Sequence, residues 1–198
     1  LHWPLLLKQI KIVDRETTVA GLLSLAKTID RLNENIGRTV SWLALFMVLV
    51  QFSVVLLRYV YGIGSIFMQE SIIYMHGFLF MLGAGYTLLH GGHVRVDIFY
   101  GAASERKQAI VDFLGVIFLL FPVLILILTY SLPYVASSWS ILESSKETSG
   151  IPAVYVLKSA IIAFCALMGL QGISMAIHSF AIIKGIEHKA EEDGPGVM

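Results

Sequence analysis

Residues 78–99 read "FLFMLGAGYTLLHGGHVRVDIF", and their reading decides the fold. Twelve residues without a charge run into two histidines around two glycines, and then charged residues alternate with β-branched ones. Paired glycines directly after a long apolar run end a helix, because glycine takes the left-handed conformation that closes a helix C-terminus. A charge-free helix that stops where charge returns is a chain leaving lipid for water.

The same punctuation recurs along the chain. No Asp, Glu, Lys or Arg lies between Arg38 and Arg58, Glu70 and Arg95, Asp112 and Glu143, or Lys158 and Lys184, gaps of 19, 24, 30 and 25 residues. At 1.5 Å per residue the shortest gap reaches roughly 29 Å, the thickness of a bilayer's hydrocarbon core. The composition, 57% hydrophobic and 14% charged, exceeds what one soluble core of 198 residues could hide. The fold class is therefore an all-α integral membrane protein with four transmembrane helices, near residues 39–60, 67–91, 108–132 and 154–183. Pro122 is expected to kink the third helix and Pro133 to lie near its end.

Charge placement orients the chain. Lys8, Lys11, Arg15, Lys27, Arg31 and Arg38 precede helix 1, Arg95, Arg106 and Lys107 join helices 2 and 3, and Lys184 and Lys189 follow helix 4. Eleven basic residues thus lie on one side against Arg58, Lys146 and Lys158 on the other. The positive-inside rule puts both termini in the cytoplasm. A net charge of zero offers nothing to nucleic acid. Cys165, inside helix 4, has no disulfide partner and reads as a small packing residue. Without a small-residue cleavage site after it, the first apolar segment is expected to stay as an anchor.

Three regions follow: a cytoplasmic amphipathic segment over 1–38, a membrane domain over 39–183 and a disordered tail over 184–198. In the first, Leu22, Leu25, Ile29, Leu32 and Ile36 recur at three- and four-residue spacing between Lys27, Asp30, Arg31, Asn33 and Glu34. That pattern is an amphipathic helix, expected to lie in the headgroup layer or to pack on a partner, the interfacial reading being preferred. "LHWPLLL" at 1–7 reads as another interfacial patch. The polar connection around "SSWSILESSKETSGIP" is the expected contact surface on the outer face.

Several residues invite a chemical reading. Gly83, Thr87 and Gly91, four apart on helix 2, form a strip of small side chains that lets another helix approach, and Gly77 and Gly85 add to it; Gly172 and Ala176 repeat it weakly on helix 4. His76 and His90, fourteen residues apart, lie nearly on one face, a spacing compatible with haem ligands, but His178 alone could face them. His90, His93 and Asp97 could share a metal ion, yet histidines in a last turn bond free carbonyls, and the capping reading is preferred; no metal or other cofactor is expected. Arg58 and Glu70 could pair across the short loop "YGIGS", and Lys158 could snorkel outward. No catalytic motif occurs, and no polar cluster stands at the midplane to hold a solute, so an enzyme or a self-sufficient transporter is disfavoured.

The motifs "RYVYG" at 58–62, "QE" at 69–70 and Gly92, His93, Val94, Arg95, Val96, Asp97 resemble the small membrane subunit, DctQ-like, of tripartite ATP-independent periplasmic (TRAP) transporters. "IPAVYVLKSA" and "GLQGIS" in helix 4 strengthen the likeness. Where many relatives carry tryptophan and a second acid near Glu70, this chain has Phe67, Met68 and Gln69. The resemblance implies a bacterial inner-membrane subunit that, bounded by lipid, binds a large membrane subunit and meets a periplasmic substrate-binding protein, in a system that moves an organic acid with a sodium gradient. It implies structural or interface roles for Arg58, Tyr59, Gly62, Glu70, Gly83, Thr87, Gly91, Gly92, His93, Arg95 and Asp97. Two other readings stand beside it, a haem-bearing anchor of a redox complex and a small transporter acting as a homodimer.

Overall fold

The computed structural model describes residues 3–94, 100, 101 and 103–187, with side chains from residue 19 onward. The described chain is helical: α1 (Trp3–Val60), α2 (Ile66–Leu89), α3 (Glu105–Ser140) and α4 (Val154–Ile183). All four hold a window long and apolar enough to cross a membrane. Arg95 and Asp97, the side chains of the 1–7 patch and residues 188–198 of the tail lie outside the described residues.

The amphipathic segment does not form a helix of its own. α1 continues through residue 38, and over Val19–Val60 its 42 residues measure about 63 Å. The face laid on α4 is Ala26, Ile29 and Asn33, all buried, whereas Leu22, Leu25 and Leu32 of the predicted stripe stay exposed. Nothing interrupts the backbone there. No proline occurs between residues 19 and 60, and Gly37 gives its missing side chain's place to the ring of Tyr86 on α2.

α3 runs eight residues past its expected end at 132 and carries Pro133 internally. One lost hydrogen bond at Pro133 costs less than a helix end whose last carbonyls would face lipid unpaired. Pro122 is accommodated one step earlier. Val116–Leu120 is a π-helical turn, and the Phe121 N–H reaches back five residues to the Val116 carbonyl. Widening the helix there makes room for a proline ring that would otherwise press on the preceding turn.

α1, α2 and α4 pack on one another, and α3 packs along α4. α4 is the central helix and holds more buried residues than any other, among them Ala160, Cys165, Leu167 and Met168. Around Leu124, Cys165 and Met168 gather Ala84 and Leu88 of α2 and Leu120, Ile127 and Leu128 of α3. Burying apolar surface supplies little net drive between helices in lipid, so close backbone approach and polar bonds set the geometry. A Cβ on Gly172 would stand 2.7 Å from Leu120, and one on Gly77 would stand 2.8 Å from Leu157.

Candidate functional site

Among the polar groups of the described residues, three tie separate helices or connections together. The first is the end of α2 on which the sequence reading turned. Gly91 has φ 62°, its N–H bonds the Leu88 carbonyl at 3.2 Å, and the Gly92 N–H bonds the Thr87 carbonyl at 2.9 Å. Only a residue free of a Cβ takes that conformation cheaply, so the glycine pair ends α2 as expected. The histidine side chain does something else. His90 Nε2 lies 2.6 Å from Glu34 of α1, whose other oxygen accepts from Arg38 Nε at 2.6 Å, and the ring stands on Tyr86 with centroids 4.4 Å apart. It joins two helices and caps neither. His93 is exposed in the loop beyond.

The second group lies at the opposite end of the bundle. Gly62, with φ 69°, ends α1, and the Ile63 N–H folds back on the Leu57 carbonyl at 3.0 Å. Arg58 is exposed, as is Tyr59 at 83%. The expected Arg58–Glu70 pair does not form. Glu70 accepts from the Ser145 hydroxyl and, at 2.6 Å, from the Ile151 N–H, because the 141–153 connection folds over the start of α2 and offers donors closer than the next helix end. Gly150 is the point of closest approach, where a Cβ would meet Ser145 and Glu70.

Lys158 reaches the same connection from the first turns of α4. Its ammonium donates to Glu143 and stands 4.0 Å from the centre of the Tyr134 ring, while Trp139 Nε1 donates to Ser159 at 2.8 Å. The Lys158 ammonium, and after it the Ser138 hydroxyl, hold the Glu143 carboxyl below the usual carboxylate range. A depressed carboxyl stabilises the fold fully above the ordinary carboxylate range and loses that contribution as pH falls through its own value. The gap in thermal midpoint between wild type and Glu143→Gln should therefore close on acidification. An unchanged gap at low pH would remove this bond from the account.

The third group escaped the sequence reading. Asp30 Oδ1 accepts from Gln171 Nε2 at 2.8 Å and from the Ser174 hydroxyl at 2.6 Å, and its Oδ2 lies 3.1 Å from His178 Nε2. Asn33 Nδ2 donates to Gln171 Oε1 at 2.8 Å, and His178 Nδ1 lies 2.7 Å from Glu187. Asn33 and Ser174 are fully buried, and Gln171 is 3% exposed. The expectation concerned the midplane, and this cluster sits toward the His90 end of the bundle, with Asn33 next to the Glu34 that holds His90. One signal was present: Gln171, Ser174 and His178 are three and four apart inside an apolar span, a single polar face.

The small-residue strip is only partly where α1 approaches. A Cβ at Gly83 would stand 4.0 Å from Val40, an ordinary contact, and Thr87 donates to the Gly83 carbonyl at 3.0 Å. The tight point is Gly85, where a Cβ would overlap the Asn33 amide and stand 3.3 Å from the Leu167 carbonyl. The histidines proposed as haem ligands do not face one another. Both ring nitrogens of His178 are turned to carboxylates, His90 is held by Glu34, and His76 is exposed on α2. Among the described residues no group of three or more His, Cys, Asp or Glu side chains could hold a metal ion. Chemically, the three groups can clamp helices together.

Compared with known proteins, residues 47–181 match the family described as "Tripartite ATP-independent periplasmic transporters, DctQ component". No curated protein and no solved structure gives a significant match.

Proposed function

Because the chain belongs to the DctQ-component family of TRAP transporters, we propose that it is the fixed brace of such a system, holding the large transport subunit and helping to dock the periplasmic binding protein. It is a small permease subunit and a multi-pass protein of the bacterial inner membrane. The termini lie in the cytoplasm in this reading, which puts the Glu70 end and the 141–153 connection on the periplasmic side. The loop after Gly92, with His93, Arg95 and Asp97, shapes the cytoplasmic boundary of α2 and α3, while Arg58, Tyr59, Gly62 and Glu70 shape the outer hairpin. The transported solute is an organic acid or a related compound, driven by a sodium gradient through the large subunit.

One observation carries the brace reading. The polar seam between α1 and α4 is spent largely on itself: Asp30 takes Gln171, Ser174 and His178, and Gln171 takes the Asn33 amide N–H. A solute or ion path needs polar groups that can exchange partners, and this seam joins helices instead. Affinity purification from the native membrane tests the assignment. A large polytopic chain should co-elute in equal amount, and solute uptake should require both genes. A particle of twice this chain's mass with no larger subunit would support the homodimer reading, and a Soret band in the purified protein would support the haem reading; either result overturns the brace.

A further inference from the structure

Polar side chains of α2 that lack a hydrogen-bond partner among the described residues include the Tyr74 hydroxyl, which is buried, and His76, which faces outward. His76 is exposed on the surface of α2 and has no hydrogen-bond partner among the described residues; the Phe80 ring stands 6.2 Å away between centroids. It stands ten residues into a 24-residue helix, about 15 Å from the start and about 9 Å deeper than Glu70. An imidazole reaches only about half that distance, so it cannot snorkel to the interface as a lysine does. Left against lipid tails, its N–H would go unpaired in a medium that supplies no acceptor, at a cost of several kcal/mol.

The positions around it form a seam. Gln69, Ile73, His76, Phe80, Gly83 and Thr87 recur at alternating spacings of four and three, the repeat with which one helix presents a continuous edge to another. In the upper half the edge is bare: Ile73 is 60% and Phe80 70% exposed. In the lower half it narrows to small side chains that allow a backbone to come close. α1 and α4 grip α2 through Gly85, Tyr86 and Gly77, and α1 also comes beside the edge at Gly83 through Val40, so the open part runs from Gln69 to Phe80.

We propose that this edge of α2 receives a transmembrane helix of the large membrane subunit, which supplies a hydrogen-bond partner to His76 at mid-depth. The occupant is a helix and not lipid because, within the hydrocarbon, only protein offers a polar partner at that depth. The inference rests on the brace reading above and says which face of the brace is used.

Two measurements test it on the intact complex. A photo-cross-linking residue at Phe80 should join this chain to the large subunit, whereas the same residue at Ile125, exposed on α3, should not. His76→Leu should reduce the large subunit recovered with this chain about tenfold, roughly the equivalent of one interhelical hydrogen bond, and His76→Gln should restore most of it. The isolated His76→Leu chain should keep wild-type thermal stability, which separates lost docking from lost folding. If the large subunit co-purifies but Phe80 yields only lipid adducts or dimers of this chain, the proposed face is wrong and the brace reading stands. Full recovery of the large subunit with His76→Leu overturns it as well. If no large subunit co-purifies with wild type, the brace reading itself has failed.

Discussion

Asp30→Ala should lower the stability of the protein in detergent by about 3 kcal/mol, read as a fall in the thermal or denaturant midpoint. The carboxylate is the common acceptor for Gln171, Ser174 and His178, and its removal strands donors on α4, two of them in residues almost wholly out of solvent. Asp30→Asn should lose about half as much, since an amide oxygen can still accept from Gln171 and Ser174. The loss should fall on α1 first. Residues 26–33 are where α1 meets α4, so protease sites near the N-terminus should become accessible before the helical content drops. An Asp30→Ala protein as stable and as protease-resistant as wild type would show that the seam does not hold α1 in place.

Gly85→Leu should be comparably damaging for the opposite reason. A side chain there has no room: its first carbon overlaps the Asn33 amide and lies 3.3 Å from a backbone carbonyl of α4 that cannot turn away. Overpacking of this kind costs about 1–3 kcal/mol, and here it also pushes Asn33 off Gln171, so the upper end of that range or more is expected. Gly83→Leu, only two residues away, should leave the isolated chain near wild-type stability because its nearest neighbour is Val40 at 4.0 Å. Equal destabilisation by the two substitutions would mean that α1, α2 and α4 do not cross at Gly85. The pair can be compared in one urea or heating series on purified protein.

These two positions show where a reading of residues alone reaches and where it stops. Gly85 was legible as part of a permissive surface, but the tighter contact was assigned to Gly83, Thr87 and Gly91 because four-residue spacing marks a face without saying which helix covers it. Asp30 and Asn33 were read as the solvated flank of an amphipathic helix, since charge beside an apolar stripe ordinarily faces water. Their partners lie 138 to 148 residues away on α4. The Arg58–Glu70 pair was a local guess of the same kind, displaced by donors 75 and 81 residues along the chain.

The sequence by itself determined the solvent and the spans. Charge-free runs of bilayer length, closed by glycines at 62, 91 and 185, admit few structures other than helices, because lipid leaves no backbone group unpaired. The ordered motifs around Arg58, Glu70 and Gly92 also placed the chain in its family, which the match over 47–181 bears out. Only the tertiary structure decided that α1 is one helix laid across α4, that Asp30 and Glu70 are spent on distant donors, and that His76 is left facing outward. Periodicity is a property of one helix, whereas the choice of neighbour is made jointly by all four through contacts that no single segment encodes.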